Sequence, residues 1–219
     1  MVVLTPLLCL VGIFKLAIGV PVDAPLPLPI SDLVFRGELG GHEVEFNGTI
    51  QEVYAQVAAT HPSFNTRSQL DTNIALAAAS PIQITKRNKA HHFCNQNIGK
   101  PWLPAKVTYI EDGIKYLSTS PYPLPHPPLY PDLTIPAESK GKCGVQSGHC
   151  ARISCSWDSA IFLCNDRLDF IEPSCAYLAS YAEDLIDWCK TEVSGMGSAV
   201  AGQLFDTDSY NVLVRYSNC

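Results

Sequence analysis

Basic charge is thin in this chain. Fifteen Lys and Arg stand against twenty-one Asp and Glu in 219 residues. Charged residues make up 16 %, against about 25 % in typical soluble domains. No stripe of Lys and Arg gathers anywhere. That argues against nucleic-acid binding through phosphates and against charge-driven binding to anionic lipid. Long apolar runs are also missing outside the extreme N-terminus, so no stable membrane insertion is expected. Neither Gly-x-Ser-x-Gly nor His-Glu-x-x-His occurs, which removes two common hydrolase signatures. The most informative lack is of cysteine: none stands between Cys9 and Cys94.

Beyond that gap cysteine becomes dense. The dibasic pair Lys86-Arg87 precedes Cys94, Cys143, Cys150, Cys155, Cys164, Cys175, Cys189 and Cys219. An even set of cysteines beyond a leader and a basic cleavage site reads as an exported, disulfide-stapled precursor. Residues 2–14 are almost wholly apolar, and their length suits a signal-peptide core. Small residues at Ala17 and Gly19 place cleavage after Gly19, with an uncleaved anchor as the alternative. The chain therefore divides into a signal peptide (1–19), a pro-segment (20–87) and a mature domain (88–219). A Kex2- or furin-type protease is the partner expected at Lys86-Arg87. The sequon Asn47-Gly48-Thr49 makes Asn47 a glycosylation candidate within the pro-segment. Four bridges are expected, and spacing leaves their pairing open.

The pro-segment opens with four prolines between Val20 and Pro29, which keep it out of a sheet interior. Residues 42–46 alternate like a short strand, and residues 50–58 read as a helix capped by Thr49. In the mature domain, Val107, Ile110, Ile114 and Leu117 line one helical seam. Cys175, Leu178, Ala182, Leu185 and Cys189 line a second, stronger one, which points both cysteines at the core. Residues 149–157 alternate as a strand, with Ala151, Ile153, Cys155 and Trp157 on one face. Residues 159–165, SAIFLCN, form a continuous apolar run suited to a central strand. A short Asp158-Ser159 link joins the two as a hairpin without the favoured glycine. Residues 210–216 alternate again, and residues 202–205 supply a fourth strand. The expected fold is α+β: a two-layer, disulfide-rich sandwich with an antiparallel sheet of three to four strands and two helices on one face. Residues 120–136 hold seven prolines and read as an extended loop outside the core, either an exposed recognition segment or a tolerated insertion.

Chemistry-bearing residues do not converge by motif. His91 and His92 fall in the mature N-terminal tail, His126 in the Pro-rich stretch, and His149 beside Cys150. A ribonuclease-like pairing of a histidine with Glu111 or Glu172 is the catalytic alternative. His91-His92-x-Cys94 has metal-ligand residue types, but Cys94 is expected to be bridged. Asp166, Asp169, Asp206 and Asp208 read as turn formers rather than calcium ligands. No metal or other cofactor is expected.

The segments Ile110–Leu117, Cys150–Ser156, Ser159–Asp166 and Gly202-Gln203-Leu204-Phe205 with Tyr210–Val214 resemble those of small secreted cysteine-rich proteins of filamentous fungi, often candidate effectors. The pro-segment run Asn47–Val53 is similar to runs in such precursors. More distantly, the layout resembles KP4-type killer toxins. The resemblance implies secretion, disulfide bridges and a compact α/β sandwich, and it carries no catalytic residues. It implies a monomeric, non-enzymatic effector or toxin-like protein that binds a host or competitor protein or surface. A small secreted ribonuclease-like hydrolase and a structural cell-wall protein are the alternatives.

Overall fold

A computed structural model describes residues 25–39, 42–60, 88–95, 102–118 and 141–219. The segment 1–19 read as a signal peptide, Lys86-Arg87, His126 and the Pro-rich stretch 120–136 lie outside the described residues. In chain order the elements are β1 (Ile30–Ser31), β2 (Val34–Leu39), β3 (His42–Asn47), α1 (Ile50–Thr60), β4 (Lys89–Cys94), β5 (Ala105–Lys106) and α2 (Val107–Ser118). Then come β6 (Lys142–Gly144), β7 (Cys150–Ser156), β8 (Ser159–Asn165), α3 (Cys175–Cys189), β9 (Lys190–Val193), β10 (Gly197–Val200), β11 (Gly202–Asp206) and β12 (Tyr210–Tyr216).

A six-stranded sheet in the order β1-β7-β8-β12-β11-β4 forms the centre. Its pairs are antiparallel except β1 with β7, which is parallel. Two three-stranded sheets, β5-β10-β9 and β3-β2-β6, flank it. The apolar run of β8 explains its central place: all seven residues are buried between β7 and β12. Helices α1, α2 and α3 cover one sheet face, where Ile161, Leu163, Val212 and Val214 meet Val53, Ile114, Leu178 and Leu185. Helix α2 comes close because Gly113 carries no Cβ; one placed there would lie 2.3 Å from Ser154 Oγ. The opposite face has a second apolar cluster of Trp102, Ala160, Phe162 and Leu213 around the Cys150–Cys164 bridge, with Leu26 and Leu28 against it.

All eight cysteines after Lys86-Arg87 pair. The bridges are Cys94–Cys189, Cys143–Cys175, Cys150–Cys164 and Cys155–Cys219. Each contributes roughly 2–4 kcal/mol, chiefly by restricting the unfolded chain. Helix α3 is bolted at both ends, as its stripe requires: Cys175 to β6 and Cys189 to β4.

Residues 25–60 are built into this architecture. Strand β1 forms one rim of the central sheet, and Cys150 N–H donates to the Pro29 carbonyl at 2.8 Å. Leu26 and Leu28 lie against one sheet face, while α1 packs on α2 and β7 over the other. The segment thus straddles the sheet rim. Strand β2 pairs with β6, placing Phe35 opposite Cys143. Helix α1 starts with a capping box: Glu52 accepts the Thr49 N–H at 2.6 Å, and Thr49 Oγ1 accepts the Glu52 N–H at 3.4 Å.

Several expectations need correction. The mixed α/β, disulfide-rich class holds, but the molecule is richer in sheet than a three- to four-stranded layer under two helices. Very short strands such as β1 and β5 leave no alternation to read. Residues 88–94 are not a loose tail: Lys89–Cys94 pairs with β11 as the far rim of the central sheet. The alternation in β7 breaks at a bulge between Arg152 and Ser154. Ser154 therefore meets Gly113 and Gln51 on the helical side, while Cys155 reaches Cys219. The β7–β8 turn is Trp157-Asp158, one residue earlier than expected, since Ser156 pairs with Ser159. Gly195 and Gly197, both at positive φ, serve the β9–β10 turn, because α3 runs straight into β9.

Candidate functional site

The β7–β8 turn carries the most exposed tryptophan among the described residues. Trp157 and Asp158 both take positive φ, 47° and 57°. A two-residue hairpin loop of type I′ demands this of both positions, and Gly or Asn normally supplies it. A bulky side chain there costs about 1–3 kcal/mol, so strain is held in by the surroundings. The surroundings are visible. Ser159 Oγ accepts the Lys106 N–H at 3.2 Å and donates to the Trp157 carbonyl at 3.4 Å. The Asp158 carbonyl accepts the Ser217 N–H at 3.2 Å. The Cys155–Cys219 bridge fixes the strand below, and Arg152 donates to the Asn218 carbonyl.

This clamp holds the Trp157 ring out of the core, with 76 % of the residue exposed. The ring stacks on Tyr109 of α2 at 6.0 Å and 23°, and Lys106 Nζ lies 5.5 Å from the Tyr109 centroid. Lys106, Tyr109 and Trp157 thus form a stack of a cation and two rings beside the β7–β8 turn. Such a surface suits apolar, aromatic or ring-shaped contacts from a partner. Sequence reading placed Trp157 on a strand face. It missed the stack because the bulge and the early turn change where the ring points.

The other sequence candidates scatter. His149 is partly buried, and its Nδ1 lies 2.7 Å from the Ser147 carbonyl. His91 stacks on Phe205 at 4.6 Å and meets Phe93 edge-on. His92 packs at 4.4 Å against Trp188 of α3. Glu111 borders a shallow α2–α3 groove with Ile114, Lys115, Glu183, Ile186 and Asp187. Glu172 is bonded to Arg36 at 2.9 Å. Asp169 pairs with Arg167, whose guanidinium holds that carboxyl below its usual range. Asp166 accepts from Asn211 at 2.8 Å, and Asp208 N–H donates to Asp206 Oδ1 at 2.7 Å within the β11–β12 turn. Among the described residues, no three His, Cys, Asp or Glu are placed to hold a metal ion. Nor is any described helix long and apolar enough to cross a membrane. Asn47 is exposed at the end of β3, beside a shallow hollow lined by Asp32, Gly48 and Glu52.

One further cluster escaped sequence reading. Buried Tyr181 donates its hydroxyl to Asp206, and the Tyr177 hydroxyl lies 3.0 Å from the Tyr181 oxygen. Lys89 Nζ sits 4.7 Å over the Tyr181 ring and 2.8 Å from Asp184. Burial, reinforced by Asp206, pushes the Tyr181 and Tyr210 phenols far above their usual range. The cluster spans β4, α3 and β11, so no local spacing could reveal it. It knits those three elements together with satisfied polar contacts. Comparison of the chain with protein-family models, with curated proteins and with solved structures finds no match.

Proposed function

We propose that this chain is a secreted, proteolytically processed binding protein of the fungal effector or toxin-like kind, non-catalytic and acting as a monomer on a host or competitor molecule. The Trp157–Tyr109–Lys106 stack is its contact surface. The observation that carries the reading is the strained turn: a backbone with two non-glycine residues at positive φ is clamped so that a tryptophan ring stays in solvent. Retained strain around an exposed anchor-type side chain is a functional signature, because core packing does not require it. Four bridges linking all eight cysteines of residues 94–219 support a working place in an oxidising compartment. Maturation at Lys86-Arg87 and a glycan on Asn47 belong to the same reading.

The test is binding of the labelled, oxidised protein to surface fractions from host tissue and competitor cells, comparing wild type with Trp157→Gly. Saturable binding by the wild type that falls at least tenfold in Trp157→Gly supports the assignment. Equal binding by both sinks the proposed surface. Hydrolysis of RNA by the purified protein would replace this reading with the catalytic one.

A further inference from the structure

Residues 25–60 share one core with the cysteine-rich part. Leu33, Phe35, Ile50, Val53, Tyr54 and Val57 are buried in the same apolar cluster as Cys143, Ile153, Leu178 and Val214. A Cβ on Gly141 would lie 2.8 Å from the Phe35 ring, so chain and segment meet without slack. Polar contacts fix the seating. Gln51 Nε2 donates to Ser154 Oγ at 2.7 Å, and Gln51 Oε1 accepts the Cys155 N–H at 3.3 Å. Tyr54 donates to the Tyr116 carbonyl at 3.3 Å. Arg36 bonds Glu172 at 2.9 Å and lies over the Phe170 ring. Backbone pairing of β1 with β7 and of β2 with β6 adds sheet hydrogen bonds. No disulfide is involved: every bridge lies within residues 94–219, and residues 10–93 hold no cysteine.

We propose that residues 25–60 are a resident, non-covalent subunit of the cysteine-rich domain. The inference rests on the processing reading. When the chain is cut at Lys86-Arg87, the upstream segment stays seated and the mature protein is two-chained. A discardable pro-piece sits on a surface that is complete without it. Here, removal uncovers the outer edge of β7 at Cys150 and Ala151, the edge of β6 that pairs with β2, and a strip of apolar core. The downstream side is equally committed. The carbonyl of Asn88, the first residue after the dibasic pair, already accepts the Thr207 N–H at 2.8 Å. The occupant of this surface is thus the protein's own N-terminal segment, whose strand register and side chains match it.

The test uses the oxidised full chain, cut with a Kex2-type endoprotease and then gel-filtered under native, non-reducing conditions. The expected result is a single peak with the intact mass of both fragments, which separate only in denaturant without reductant. Elution of residues 88–219 alone, as a folded species with a cooperative melt, overturns the proposal. Failure of the enzyme to cut sinks the processing reading instead. Retention is then judged by the same two outcomes after cutting at an unrelated protease site inserted between residues 61 and 85.

Discussion

Replacing Asp158 by glycine should strengthen the fold while leaving binding intact, whereas replacing Trp157 by glycine should remove binding with little change in stability. Asp158 sits at φ 57° in a turn whose second position favours glycine. Relief of left-handed strain is worth about 1 kcal/mol. Glycine gives back about half of that through the freer unfolded chain. The net expectation for Asp158→Gly is a gain of about 0.5 kcal/mol, or a rise of ~1–2 °C in Tm. Trp157→Gly relieves somewhat more strain, but it forfeits the stack on Tyr109, worth about 0.5–1.5 kcal/mol. Its stability should therefore stay within about 1 kcal/mol of wild type. Urea unfolding followed by circular dichroism, with the bridges intact, measures both. A loss of about 3 kcal/mol or more in Trp157→Gly would show that the ring is structural and that the strain serves folding. Loss of target binding in Asp158→Gly would move the contact from the ring to the carboxylate.

Gly113→Ala should cost about 1–3 kcal/mol despite the better helix propensity of alanine, because the new methyl meets Ser154 at the α2–β7 contact. Ser154→Ala in the same chain should recover part of that loss in a double-mutant denaturation series. Asp184→Ala removes the carboxylate partner of Lys89, whose side chain is only 9 % exposed, and should lower stability by about 3 kcal/mol in urea. In alkali, the folded state holds the Tyr181 and Tyr210 protons more tightly than the unfolded chain does. Their stabilisation is complete below pH ~10 and falls as pH rises past that value. Phenolate absorbance should accordingly rise in two steps, the later one coinciding with unfolding, and Tyr181→Phe should shrink the later step. Phe35→Ala should cost about 3–5 kcal/mol in thermal melts of the full chain, since the ring is buried against Gly141.

Long, strongly periodic elements were legible in the sequence. The stripe from Cys175 to Cys189 predicted a helix pinned at both ends, and the apolar run 159–165 predicted a central strand; both are observed. The pairing of cysteines was not legible, because it depends on which elements meet. Residues 88–94 misled because polar His91 and His92 look like tail, whereas a rim strand buries only part of its surface. One inserted residue near Ile153 defeated the alternation of β7, since a bulge reverses the facing rule without changing composition. The Trp157 stack depends on that same shift and on a contact far away in sequence, at Tyr109. The tie between residues 25–60 and the sheet was hidden for a similar reason. Composition separated them, while long-range pairing joined them.

The rims of the central sheet have a consequence for the order in which the molecule is made. Both rims, β1 and β4, lie before residue 95, while β7, β8, β11 and β12 all lie after residue 149. During vectorial synthesis the two capping strands leave the ribosome before any strand they will cap. The hydrogen-bonding edges of the four inner strands thus emerge into the presence of their own partners. The window in which a bare edge could recruit another chain is set by the lag between the hairpin and the strands already waiting for it.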